Sequence, residues 1–94
     1  MERNITEKEK YQIVNFGAFE YSNEMCSIIL GWDVDEIDEL MSDKKSEFYK
    51  LYRSGFIKSQ YVIDLKLFEQ AQSGDIKSLE KLEQRKRLAI KRKN

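Results

Sequence analysis

Five carboxylates crowd the seven residues of "DVDEIDE", Asp33 to Glu39. Carboxylates at that density could hold a divalent cation, so this is the first chemistry to test. A calcium loop places oxygen ligands at set positions, with Gly at the sixth and Glu at the twelfth, and the stretch lacks that spacing. Other reactive groups are sparse. The chain has no His, its single Cys26 has no basic neighbour in sequence to lower its pKa, there is no glycine-rich phosphate loop, and its Ser residues stand without a general base. The expectation is a protein that is not an enzyme, with no metal and no cofactor. Charge is the chemistry that remains. Asp35, Glu36, Asp38 and Glu39 make an acidic face suited to a basic protein partner, whereas Arg85, Lys86, Arg87, Lys91, Arg92 and Lys93 make a basic end suited to phosphates. Lys44 and Lys45, with Lys8 and Lys10, supply a second basic edge.

These charges are segregated along a chain whose net charge is zero. Residues 1–20 sum to −1, residues 21–42 to −6, residues 43–74 to +2 and residues 75–94 to +5. An outward row of carboxylates repels the phosphate backbone that supplies most non-specific affinity. If the protein binds double-stranded DNA, the basic end and the Lys44 and Lys45 edge are therefore the places for it.

Elements that could position these faces are marked by caps. Thr6 to Glu9 has the S/T-x-x-E form of a capping box, which predicts a first helix from Glu7 to about Ala18 with Tyr11, Ile13, Val14 and Phe16 in a broad apolar stripe. Ser22 caps a second helix that should bury Met25, Cys26 and Ile29, with Ile28 and Leu30 beside them, and Gly31 ends it. Asp33 caps a third, with Glu36 at its N3 position and Val34, Ile37, Leu40 and Met41 on one face. Cap, short helix, Gly-containing turn, cap and second helix are the order of a helix-turn-helix. Trp32, in the turn, is expected to plug the core.

From Asp43 to Ser73 only Gly55 interrupts the run, and Phe48, Tyr52, Ile57, Tyr61, Leu65 and Phe68 recur at helical steps. The alternation of Ile63, Leu65 and Leu67 in "YVIDLKLF" is also compatible with a strand, but no second strand or hairpin turn stands near it. Gly74 and Asp75 read as the stop of one helix and the cap of the next, whose inner side would carry Ile76, Leu79, Leu82 and Ile90, with Glu83 paired to Arg87. The expected fold is all-α. Residues 1–42 would form a three-helix helix-turn-helix unit, and residues 43–94 a long helix and a shorter helix in an antiparallel hairpin with a basic tail. An aromatic stripe of that length exceeds what one short partner helix covers, so Phe48, Tyr52, Ile57, Tyr61 and Phe68 are expected to be shared between the hairpin interior and a neighbouring chain.

Composition agrees. The 94 residues contain no Pro, four Gly and 36% charged side chains, a balance that favours helices. No stretch of about 18 apolar residues exists to span a bilayer, the first residues lack the apolar core of a secretory signal, and one unpaired Cys suits a reducing compartment. A cytoplasmic protein without a membrane partner is expected.

A helix-turn-helix followed by "SEFYKLYRSGFIKSQYVIDLKLFEQAQSGDIKSLEKLEQR" resembles the small subunits of tailed-phage terminases. These show an aromatic and "LY-x-x-G" near the start of a long helix, then an Ala and a Gly-Asp before a second helix that packs back. Phe48, Leu51, Tyr52, Gly55, Ala71, Gly74 and Asp75 stand at the matching positions, and the resemblance covers about Ile13 to Arg85. It implies a non-enzymatic homo-oligomer, a ring, that recognises viral double-stranded DNA in the host cytoplasm and hands it to an ATP-driven large terminase subunit. Read from the residues alone, the same chain also suits a small helix-turn-helix regulator or protein-interaction module that dimerises through its hairpin.

Overall fold

The computed structural model describes residues 3–93, with side chains as far as Ala89. The architecture is all-α: α1 (Glu7–Phe19), α2 (Asn23–Leu30), α3 (Val34–Ser42), α4 (Glu47–Gln72) and α5 (Ile76–Lys93). No strand occurs among the described residues, and the alternating Ile63, Leu65 and Leu67 lie within α4.

Each helix begins where a side chain can satisfy its first amides. The Thr6 hydroxyl accepts from Glu9 N at 3.1 Å while Glu9 Oε1 accepts from Thr6 N at 3.0 Å, the reciprocal capping box. Ser22 Oγ accepts from Met25 N, and Asp33 Oδ1 from Asp35 N. Gly31 ends α2 with φ +73 and Gly74 follows α4 with φ +97, left-handed values that cost a glycine little. The long helix starts later than its apolar spacing suggests. Asp43 folds back on the Lys45 amide as a turn, and Ser46 becomes the cap, its Oγ accepting from Tyr49 N and donating to the Leu40 carbonyl.

The chain forms two compact units, Met1–Ser59 and Gln60–Asn94, so the first takes in the opening half of α4, where the sequence suggests a boundary after Ser42. Its core is Ile13, Phe16, Cys26, Trp32, Ile37 and Phe48, with Leu30, Leu40, Leu51 and Tyr52 packed around them. Phe48 is 1% exposed and its ring lies 5.8 Å from that of Trp32. That corrects its expected place between the hairpin interior and a neighbouring chain: the opening half of α4 belongs to the first unit, and Phe48 enters that unit's core beside Trp32. Tyr11, Met25, Ile28 and Ile29, expected to face inward, are exposed. An eight-residue helix with one core-facing side has room for Cys26 and Leu30 only.

α1 and α4 meet backbone to backbone. A Cβ on Gly17 would overlap the Tyr52 carbonyl oxygen and lie 2.7 Å from its carbon, and a Cβ on Gly55 would overlap the Val14 carbonyl oxygen and lie 2.7 Å from that carbon. No other residue type fits at either position without moving a helix. The Tyr52 hydroxyl then reaches across to donate to the Tyr21 carbonyl at 2.9 Å.

The second unit is a hairpin with a thin seam. Leu82 and Ser78 are its buried residues among those described, and Gln60, Asp64, Leu67 and Ala71, at steps of four, three and four, are the half-buried side of α4. Much of that seam is polar. Arg85 pairs with Asp64 and bonds the side-chain and backbone oxygens of Gln60, while the Ser78 hydroxyl meets Gln70 and Asp75, each at 3.0 Å.

Candidate functional site

The acidic face is built on α3, where Ile37 is buried and Leu40 and Met41 pack on the core, which turns Asp35, Asp38 and Glu39 outward to solvent. Two of its carboxylates are engaged. Asp38 Oδ1 accepts from Asn23 Nδ2 at 2.8 Å, which ties the start of α2 to α3. Glu36 takes the Arg3 guanidinium through two bonds of 2.7 and 2.9 Å, and that bonding holds its carboxyl below the usual range. The fork geometry is the strong form of such a pair.

Arg3 does more than neutralise one acid. Its guanidinium carbon sits 4.3 Å from the centre of the Trp32 ring, a cation–π contact. The same Trp32 donates from Nε1 to Glu9 Oε2 at 3.1 Å. Glu9 is held below its ordinary pKa first by the Thr6 amide, then by the Thr6 hydroxyl, Trp32 and the charge of Arg3. Trp32, 5% exposed, is thus the expected core plug with its polar edge satisfied. Arg3 carries no motif that marks it in sequence; only folding brings it to Trp32 and Glu36. Cys26 is fully buried, which pushes its thiol up to about 11 and leaves it protonated at neutral pH.

The basic residues divide into committed and free. Lys10 bridges Glu7 at 3.2 Å and Glu47 at 3.4 Å, linking α1 to the start of α4, and both carboxylates raise its pKa. Arg85, expected on the DNA side, is spent inside the hairpin seam on Asp64 and Gln60. Lys86 is exposed and pairs loosely with Glu83 at 3.5 Å, the partner expected for Arg87, which leaves Arg87 in solvent. Lys44 and Lys45 are exposed in the turn before α4, and Lys8 is exposed on α1. The side chains of Lys91, Arg92 and Lys93, like that of Ile90, lie outside the described residues.

Of the expected interface residues, Tyr52 is half-buried in the first unit, and Ile57 is exposed at its α4 end. Tyr61 and Phe68 are 64% and 46% exposed in the second. Tyr61, Leu65 and Phe68, at steps of four and three, form a stripe beside the seam rather than in it, and on α5 Ile76, Leu79 and Leu88 are also exposed. The hairpin therefore turns its more apolar sides outward.

One concavity was not foreseen. Glu20, Met41, Tyr49, Tyr52, Arg53 and Phe56 line an open groove of about 250 Å³ in the first unit, between the ends of α1 and α3 and the first turns of α4. Its signal in sequence is the run of Tyr49, Tyr52 and Phe56 at steps of three and four, which the regular α4 pattern hides.

Among the described residues no helix is long and apolar enough to cross a membrane, and no group of three or more His, Cys, Asp or Glu side chains is placed to hold a metal ion. Comparison with protein-family models, curated proteins and solved structures returns no match to this chain.

Proposed function

We propose that this chain is a non-enzymatic adaptor for packaging viral DNA, of the terminase small-subunit kind, which assembles through its hairpin into a ring, contacts double-stranded DNA with its basic edges and serves a large ATP-driven subunit. The observation that carries this reading is the hairpin itself. Among the described residues the two helices bury one leucine over a polar seam and leave Tyr61, Leu65, Phe68 and Leu79 exposed, and a helical pair of this kind gains stability by packing on further helices. Neighbouring hairpins supply them. The acidic α3 takes no part in phosphate contact and is available to a basic protein partner. Lys44, Lys45, Lys86 and Arg87, exposed on every subunit, repeat around a ring, so that weak phosphate contacts add up.

Mass in solution by light scattering tests the assembly. The wild-type chain should be a multimer, and Phe68→Asp should lower its mass while the helical signal of the first unit persists. Phe48→Ala is the contrasting variant: it opens a cavity in the first unit's core and should cost about 3–5 kcal/mol of stability with no direct effect on subunit number. A monomeric wild-type chain at high micromolar concentration overturns the reading. A dimer that stops at two subunits favours the helix-turn-helix regulator instead, since two hairpins already complete a four-helix bundle.

A further inference from the structure

Positive charge in the first unit gathers on one stretch. From Lys44 to Lys58 there are five Lys or Arg against Glu47 alone. Glu47 is taken by Lys10 from α1, and Asp43, just ahead of the stretch, turns its carboxylate to the Lys45 amide. Lys44, Lys45, Lys50, Arg53 and Lys58 are all exposed and have no ion-pair partner among the described residues. Arg53 shares the groove with Glu20; the lysines are left to solvent. Lys50, Ser54 and Lys58, at steps of four, follow one ridge of α4, and Lys44 and Lys45 stand in the turn that leads into it. The helix turns Phe48, Tyr52 and Gly55 to the core and α1, which leaves Lys50 and Lys58 to face water.

We propose that this lysine ridge is the surface by which the first unit meets the phosphate backbone of double-stranded DNA, an assignment that rests on the packaging reading above and adds Lys50 and Lys58 to the Lys44 and Lys45 turn. Lys50 and Lys58 are about 12 Å apart along the helix. A duplex of that length carries about seven phosphate charges, so each lysine finds a phosphate without exact register. Composition favours a polyanion over a protein partner. Lysine is depleted at protein interfaces, whose centres are rich in aromatics, Met and Arg, and from Lys44 to Lys58 the one exposed large apolar side chain is Ile57. On this assignment the helix-turn-helix unit approaches DNA with α4 rather than with the acidic α3.

Fluorescence anisotropy of a labelled duplex of random sequence, titrated with the full chain at salt from about 50 to 200 mM, tests it. Lys50→Ala with Lys58→Ala changes two exposed helical positions and should leave the circular dichroism unchanged. The slope of log affinity against log salt should flatten by about 1.8, roughly 0.9 for each lost phosphate contact, with weaker binding on any sequence. Lys66→Ala, at an exposed position of α4 in the second unit, is the control for net charge and should keep the wild-type slope. An unchanged slope in the double variant, while the wild-type chain binds DNA, overturns the ridge and leaves the packaging reading standing on the other basic edges. Equal flattening per lysine in Lys66→Ala would mean that total charge counts and its place does not, which also overturns it. If the wild-type chain prefers polyglutamate to duplex of equal charge and the double variant loses that preference, the ridge serves an acidic protein instead. A wild-type chain without affinity for duplex at about 50 mM salt removes both readings.

Discussion

At the scale of residues, the Arg3, Trp32 and Glu9 cluster makes stability depend on pH in a defined direction. Glu9 and Glu36 both have folded pKa values below their ordinary 4.5. The unfolded chain therefore binds more protons as pH falls, and the stabilisation these groups supply is complete above the ordinary value and disappears as pH drops through the folded one. Urea unfolding followed by the fluorescence of the single Trp32 measures it. Glu9→Gln should be less stable than wild type at about pH 6, and the gap should shrink as pH falls below the ordinary carboxylate value and wild-type Glu9 takes up its proton. A gap that stays constant as pH falls would mean that the Glu9 charge has no part in holding Trp32 and the Thr6 cap.

Two elements carry the sharpest consequences at the next scale. The α1–α4 crossing depends on Gly17 and Gly55, because a side chain at either would set a methyl group against backbone that cannot step aside. Gly17→Ala, though it raises helix propensity, should cost about 3 kcal/mol, the upper end for overpacking, and lower Tm by more than about 10 °C; a loss below about 1 kcal/mol would show that the helices separate easily. On α3 the opposite holds. Asp35 and Glu39 are exposed and have no ion-pair partner among the described residues, so Asp35→Asn with Glu39→Gln should change stability by less than about 0.5 kcal/mol. If DNA is bound elsewhere on the chain, removing these two negative charges should tighten its binding at low salt. Weaker DNA binding in the double variant would mean that α3 reads bases after all, with carboxylates accepting from cytosine amino groups.

For the whole molecule, separated charge predicts how DNA affinity should respond to salt. Lys86 and Arg87 are exposed on α5, whereas Arg85 beside them holds Asp64 in the seam. Cutting the chain before Arg85 would therefore damage the hairpin as well as remove charge, so substitution is the cleaner test. Lys86→Ala with Arg87→Ala should flatten the slope of log affinity against log salt by roughly 0.9 for each phosphate that is no longer neutralised, with subunit number unchanged. Identical affinity and slope in the variant would make this end of α5 a solvated helix terminus and leave Lys44 and Lys45 as the phosphate-facing edge.

Much of this molecule follows from local chemistry that a sequence displays directly. Thr6, Ser22, Asp33 and Asp75 each bond amides of the turn they precede, Gly31 and Gly74 each take a left-handed φ, and a chain without Pro stays helical between them. Those interactions span a few residues, so spacing alone reveals them. Burial is different, because it depends on which side of a helix finds a neighbour. Tyr11 and Ile28 stand two residues from Ile13 and Cys26, on the other side of the same helix, and face water while the latter are fully buried. Arg85 reads as one more cation in a basic tail until the hairpin folds Asp64 and Gln60 onto it. The fit of Gly17 against Tyr52, and the joining of Arg3 to Glu36 and of Trp32 to Glu9, link residues far apart in the chain. Periodicity tells which residues share a side of a helix; only the packed structure decides what that side meets.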